Sequence, residues 1–409
     1  MNGYYHLNTH LKELFNKRTL KICINGGFTC PNRDGKKGTD GCIFCLKGGS
    51  LIHDNNIKTI KNQVNDFLSS YKGERADAYI AYFQEYTNTY APVDVLKQKY
   101  DEALNASNKF VALDIDTRPD CITDEVVELL HSYQNKYHVF VELGLQTSNE
   151  ETHRKINQNI TNDDVINAVK LLKQYNIETV IHLMVGLPGE THQDIVNTVN
   201  FINELDIDGI KIHSTYVIKG TQLEKLYLND EFTPLSIDDY ISEVIYILTH
   251  ISPEIVVHRI TGDAPEDILI APSFAKKKKV VMNEINNICH CTIRHSRGNI
   301  PRNRIGKCRT NIGEVQFLFP CTLSVQNIPH GRTQHYTRMV VPRQSLGDVK
   351  TTHTAVFLFF FKEEELVGLH IELTAHTVVV VDNDIRNVQF VKLLTTSQTS
   401  GTRTNNGHL

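Results

Sequence analysis

The chain of 409 residues, 40% hydrophobic and 22% charged, has the composition of a globular protein with apolar surface enough for one large or two modest domains. Its longest apolar run, Ala355 to Phe361, is far short of the roughly 20 residues of a membrane span, and the polar start Met1-Asn2-Gly3-Tyr4 lacks a signal-peptide core, so a cytoplasmic protein with no membrane contact is expected. The net charge of −4 hides two unlike parts: residues 1–285 carry 29 basic against 39 acidic side chains, a net of −10, and residues 286–409 carry 14 against 8, a net of +6.

The first element is an alternating strand, Leu20-Lys21-Ile22-Cys23-Ile24-Asn25, on which Cys23 points inward as a core thiol. A loop follows with Cys30, Cys42 and Cys45, in Phe28-Thr29-Cys30-Pro31-Asn32-Arg33-Asp34 and Gly41-Cys42-Ile43-Phe44-Cys45. Three thiolates on one loop match a [4Fe–4S] cube with one iron left open, since closed clusters take four cysteines. The pair Cys42 and Cys45 alone also suits a zinc half-site or a redox dithiol, but zinc would need a fourth ligand such as His53, and the flanking Gly/Lys loop is not the strand-to-helix setting of a redox pair. Nine cysteines, one triplet and scattered singles, fit a reducing compartment better than a disulfide framework.

A helical stretch, Asn55 to Tyr71, comes next, and then strand-like runs at Ala78 to Phe83, Phe110 to Ile115, Val139 to Leu145, Thr179 to Val185 and Gly209 to Val217. Helix-period segments, Thr123 to Tyr133, Asp163 to Tyr175 and Thr191 to Leu205, separate them. Six β/α units imply an α/β fold with a parallel sheet covered by helices, and the cysteines then sit at the carboxyl end of the first strand, the catalytic face of a β/α barrel.

In the order Cys30 to Cys45, Tyr82-Phe83-Gln84-Glu85-Tyr86-Thr87-Asn88, Asp116-Thr117-Arg118-Pro119-Asp120, Glu142-Leu143-Gly144-Leu145-Gln146-Thr147, Val185-Gly186-Leu187-Pro188-Gly189-Glu190 and His258-Arg259-Ile260-Thr261-Gly262-Asp263, residues 3–285 resemble the radical S-adenosylmethionine (SAM) proteins. The eleven residues between Cys30 and Cys42 are those of a bacterial group related to the catalytic subunit of Elongator. The resemblance implies a partial (β/α)6 TIM barrel and an enzyme that binds a [4Fe–4S] cluster through Cys30, Cys42 and Cys45. It also implies SAM as cosubstrate, cleaved to a 5′-deoxyadenosyl radical, and a small electron donor such as flavodoxin or ferredoxin. By the same resemblance Phe44 would pack by the adenine, Gln84 and Glu85 at the end of the second strand would accept from the SAM ammonium, and Glu142 and Gln146 at the end of the fourth would take the ribose. Val185 to Pro188 would flank the adenine.

Where many relatives carry a segment like Asn-Arg-x-His, this chain reads Ile156-Asn157-Gln158-Asn159. If that arginine fixes the methionine carboxylate or the substrate, Arg154 or Lys155 would replace it or binding would be weaker, while Arg118 reads equally as a contact for the SAM carboxylate or substrate and as a structural salt bridge. Two further readings stand beside the SAM-cleaving enzyme: an RNA-modifying variant, against which a net charge of −10 is a poor footprint for RNA, and an iron–sulfur protein without turnover. His182 and His213 read as hydrogen-bonded core histidines, Cys121 as a packing residue and Lys276 to Lys279 as a solvated helix face.

Beyond residue 285 lysine gives way to arginine, with 4 Lys and 10 Arg, and Tyr336 is the one tyrosine left. This unassigned segment, 286–409, has β-leaning runs at Glu314 to Phe319, Ala355 to Phe361 and Thr377 to Val381 and a disorder-like end, Thr395 to Leu409. Its abrupt change in usage suits a foreign or frameshifted stretch, and Cys289, Cys291, Cys308 and Cys321 follow no metal-ligand spacing. A barrel complete by residue 285 should fold without residues 290–409.

Overall fold

The computed structural model describes residues 4–46, 58–262 and 264–296, with four short strands further on at 321–324, 335–338, 357–360 and 378–381. Helix α1 (Leu7–Phe15) leads into β1 (Thr19–Ile24), and α2 (Ile60–Leu68), β2 (Ala78–Phe83), α3 (Val93–Asn105), β3 (Phe110–Thr117), α4 (Asp124–Tyr133) and β4 (His138–Gln146) follow. Helices α5 (Glu150–Lys155) and α6 (Asn162–Gln174) precede β5 (Glu178–Val185), α7 (His192–Glu204) and β6 (Gly209–Ser214). Then come β7 (Val217–Ile218), α8 (Gln222–Leu228), α9 (Ile237–His250), β8 (Val256–Arg259), β9 (Leu269–Ala271) and α10 (Lys278–Ser296).

Strands β1 to β6 pair in sequence order, all parallel, and β8 adds a seventh beside β6. The six sequence-expected strands are all present, so the fold is the expected partial α/β barrel with one more strand. Two differences in extent have local causes. The sixth run stops at Ser214, and Val217–Ile218 turns away to pair antiparallel with β9. Strand β8 is only four residues long and contains His258 and Arg259, too short and too polar to read as a buried strand.

The helices begin where their caps dictate. Thr161 accepts from the Asp164 amide while the Asp164 carboxylate accepts from the Thr161 amide, so two orphan donors of α6 are satisfied reciprocally. Val165, Ala168, Val169 and Leu172 then repeat at helical spacing and are buried. Strand β2 is buried at every position: Ile80 packs with Leu11, Ala112 and Phe140, while Tyr82 joins a polar network through Glu142 and Lys211. Lys276, Lys277 and Lys279 are exposed, as a solvated basic run should be.

Helix α10 crosses residue 286 without a break and runs to Ser296. Val281, Ile285, Ile288 and Cys289 are buried along it, so the barrel's own packing extends past the composition switch. The chain divides into compact units at residues 1–305 and 306–409. A chain ending at Ser296 is therefore expected to unfold cooperatively like the full protein. Ending it at Asn287 removes Ile288 and Cys289 from a packed face and should cost about 2–5 kcal/mol. Equal midpoints of thermal unfolding for the two shortened chains would show that these contacts carry no weight.

In the second unit β10 (Cys321–Ser324) pairs antiparallel with β11 (His335–Arg338), and β12 (Phe357–Phe360) pairs parallel with β13 (Val378–Val381). The last two fall in the β-leaning runs at 355–361 and 377–381. Glu314 to Phe319, Thr395 to Leu409, Cys308 and His53 lie outside the described residues. Among the described residues no helix is long and apolar enough to cross a membrane.

Candidate functional site

The cysteine loop leaves the carboxyl end of β1 and is gripped by the segment after α5. The Ile43 amide donates to the Ile156 carbonyl at 3.0 Å, and Asn157 Nδ2 donates to the Gly41 carbonyl at 2.7 Å. Asn157 and Asn159 both have positive φ, 54° and 55°, a conformation in which asparagine is among the better tolerated residues. From within the loop Arg33 Nη2 donates to the carbonyls of Cys45 and Leu46, at 3.1 and 2.7 Å. Gly41 has φ 72° and a side chain there would strike the Arg33 guanidinium, its Cβ 2.8 Å from Cζ, which is why the turn before Cys42 needs glycine.

These contacts bring the three thiols to one place. Cys30, Cys42 and Cys45 are free, and their charges act on one another. A hydrogen bond shared with Cys42, together with Arg33, pulls the Cys45 thiol down to about 7, while Cys42 is pushed up. Arg118 lies close enough for its charge to favour the Cys42 thiolate, and Asn32 Nδ2 donates toward Cys42 Sγ at 3.8 Å. Three soft sulfur donors with cations and an amide facing them suit an iron–sulfur cluster better than a harder ion.

Arg118 is 7% exposed and makes a two-bond pair with Asp120, both contacts 2.9 Å, while also donating to the carbonyls of Gln158 and Asn159. It braces the loop. Arg154 is exposed, and the exposed Lys155 pairs with Glu151 at 2.9 Å. Cys121 is buried, and burial, then Asp120, pushes its thiol up to about 12. That is a packing residue.

Of the other sequence-expected positions, Glu85 follows β2, is 2% exposed, and lies near enough to Cys45 for its charge to oppose ionisation of that thiol. Gln84, beside it, is half-buried. Phe44 packs against the apolar cluster of Ile43, Ile156, Leu187 and Val217. Gln146, the last residue of β4, has φ 72° and lines a small cavity with Val185. Pro188 sits half-buried in the turn after β5, between Gly186 and Gly189, which have φ 84° and 80°.

Glu142 stands apart. It lies in the middle of β4 rather than at its end, is fully buried, and accepts from Lys21 Nζ at 2.8 Å, Tyr82 OH at 2.8 Å, His182 Nε2 at 2.8 Å and Lys211 Nζ. With both oxygens so engaged it is the hub of an ionic cage across the barrel interior and no free acceptor for a ribose. Lys21 also pairs with Asp114 at 2.5 Å, and Tyr82 OH donates to Asp116 at 3.2 Å.

Charges in the cage set each other's protonation. Burial alone would raise the Glu142 carboxyl, but Lys21 and Lys211 hold it well below its usual value. Burial and then the Glu142 charge push Asp114 up to about 7 and Asp116 well above the carboxylate range. His182 is lowered to about 4 by burial and then by Lys211, so it is a neutral donor, the hydrogen-bonded core histidine the sequence suggested. Ligand atoms of Asp116, Glu142 and His182 lie within 4.8 Å of one another, but Lys211 Nζ, bonded to both Glu142 and Tyr82 OH, already supplies the positive charge there.

The cage was missed in the sequence, although Lys21, Asp114, Asp116, Glu142, His182 and Lys211 are polar residues interrupting apolar strands, which is its signal. Cys23 is a related difference. It points inward as expected, but it is exposed in the open barrel near Lys211, Lys21 and Arg259 rather than packed in a core.

Two family profiles match in tandem: the Radical SAM superfamily over residues 27–202 and the Radical_SAM C-terminal domain over residues 207–289. The uncharacterised protein YtqA of Bacillus subtilis (strain 168) is 39% identical over 285 residues, covering 69% of this chain and 88% of its own length. The chain belongs to the radical SAM superfamily. Protein YhcC of Escherichia coli (strain K12) is 33% identical over 277 residues, 68% of this radical SAM chain and 89% of that protein. A solved structure of archaeal Elp3 from Methanocaldococcus infernus, with an N-terminal deletion, shares the fold at a TM-score of 0.51 and 17% identity, over 79% of this chain and 74% of that one. The tRNA uridine(34) acetyltransferase of the same archaeon is 28% identical over 181 residues, 42% of this chain but 32% of that protein.

Proposed function

We propose that this protein is a radical SAM enzyme that holds one [4Fe–4S] cluster at Cys30, Cys42 and Cys45 and cleaves SAM reductively, with electrons from a small carrier such as flavodoxin or ferredoxin. The observation that carries the reading is the convergence of three free thiols on a loop at the carboxyl end of a parallel barrel, facing Arg33 and Arg118. When bound, cluster and SAM together would supply a 5′-deoxyadenosyl radical that abstracts hydrogen from a substrate. The chain's own residues bind, orient and shield. Glu85, buried beside Cys45, offers a carboxylate to the SAM ammonium, with Gln84 next to it. By the family resemblance Gln146, the last residue of β4, would take the ribose, and Phe44, Val185 and Pro188 would flank the adenine.

Anaerobically reconstituted, reduced protein given SAM should release 5′-deoxyadenosine and methionine. Full cluster loading with no 5′-deoxyadenosine would instead identify an iron–sulfur protein without turnover. Glu85→Gln removes a charge-assisted bond and should weaken SAM binding by about 1.5–3 kcal/mol, roughly ten- to hundredfold in Kd. Unchanged affinity would place the ammonium elsewhere. RNA as substrate is the weaker reading: the resemblance to the tRNA uridine(34) acetyltransferase covers 42% of this chain and 32% of that protein, and residues 1–285 are net acidic. We also propose that the radical SAM unit ends after α10 and that residues beyond it are dispensable for cluster and SAM binding.

A further inference from the structure

The side chain of Asn32, in the cysteine loop, is completely buried and its amide has a defined orientation. Asn32 Nδ2 lies 2.5 Å from the Asn157 carbonyl oxygen, an atom that only accepts, so the nitrogen must point there. Its second N–H is directed at Cys42 Sγ, 3.8 Å away. Asn32 Oδ1 in turn accepts from Asn159 Nδ2 at 2.7 Å, and Asn159 Nδ2 is also 3.1 Å from Asn157 Oδ1. Gly38 closes the remaining side: a Cβ there would sit 2.6 Å from Asn32 Oδ1. Both N–H bonds and the amide oxygen are therefore committed, and the amide cannot turn away from the sulfur without losing two bonds in a dry environment.

Asn157 and Asn159 belong to the segment Ile156-Asn157-Gln158-Asn159 that follows α5. The two asparagines hold positive φ, clamp the loop through Gly41, and lock the Asn32 amide. Arg118, which binds the carbonyls of Gln158 and Asn159, ties the same segment down from the other side.

We infer that Asn32 is a potential-setting residue: its N–H, locked by Asn157 and Asn159, bonds the Cys42 thiolate of the cluster and makes the cluster easier to reduce. The inference rests on the cluster assignment proposed above. Reduction adds one electron to a group held by three thiolates, so a fixed donor to one sulfur stabilises the reduced form more than the oxidised form and raises the potential. The electron comes from the external carrier and no bond is made or broken at Asn32.

The test uses the full-length protein, reconstituted anaerobically and labelled with 15N-asparagine. The reduced cluster of the unsubstituted protein should show hyperfine coupling to one side-chain amide nitrogen, absent in Asn32→Leu. Asn32→Leu is also expected to lower the ratio of reduced to oxidised cluster about tenfold at a fixed solution potential, equivalent to a shift of about 59 mV for a one-electron couple. If Asn32→Leu does not load, the coupling in the unsubstituted protein decides alone. A loaded protein with no such coupling, or a fully loaded Asn32→Leu with an unchanged potential, overturns the inference and leaves the cluster assignment standing. An unsubstituted protein that assembles no [4Fe–4S] cluster overturns both.

Discussion

Replacing Cys42 with alanine is expected to abolish assembly of the [4Fe–4S] cluster, and the same is expected for Cys30 and Cys45. The other free cysteines described offer no substitute. Cys23 is on β1 facing the open barrel, Cys121 is buried beside Asp120 on the turn after β3, and Cys289 is in the packed face of α10. A cluster with three protein ligands has none to spare, and losing one thiolate also leaves the Arg33 and Arg118 charges facing an empty position. Iron and sulfide analysis, with the EPR spectrum of the reduced protein before and after SAM, measures the result. Full cluster content and an unchanged SAM response in Cys42→Ala would sink the assignment and return the loop to a zinc or dithiol reading.

How much of this was legible in the sequence follows from how local each signal is. The strands were, because β2 and β5 are nearly unbroken apolar runs closed by polar turns, the pattern of a parallel sheet buried on both faces. The helices α6 and α7 were, because the apolar residues of Asp163 to Tyr175 and Thr191 to Leu205 repeat at helical spacing. The cysteine loop was, since three thiols so close in sequence have few other uses. Contacts between distant segments were not. That Asn157 and Asn159 hold Asn32 across more than a hundred residues leaves no periodic trace, and an expected cationic segment instead supplies amides and carbonyls. Glu142 was assigned to the ribose by resemblance alone, and its place in the cage depends on partners from β1, β2, β5 and β6 that no local pattern connects. The continuation of α10 to Ser296 was hidden because composition changes within a helix that keeps its buried spacing.

Removing Glu142 should damage folding more than SAM binding. In Glu142→Ala, Lys21 and Lys211 lose the carboxylate that holds both of them, and a buried pair broken from one side costs about 3–5 kcal/mol. The cost should depend on pH with a definite sign. Asp114, raised to about 7 in the folded protein against about 3.9 in the unfolded chain, gives stability that is present below the lower value and lost as pH rises through the upper one. Without the Glu142 charge, Asp114 and Asp116 ionise more readily and take over as counter-ions to the lysines. The stability gap between Glu142→Ala and the unsubstituted protein should therefore narrow from pH 5 to pH 8, while the Glu142 carboxylate itself, held well below its usual value, is ionised throughout that window. Urea unfolding across the range reads the gap. SAM affinity of the folded variant should fall by less than the roughly tenfold lower bound expected for Glu85→Gln. A further change, Lys211→Met, in the Glu142→Ala background should recover part of the loss by removing one stranded charge. A constant gap across pH together with a tenfold or greater loss of SAM affinity would move Glu142 out of the cage and into the cofactor site.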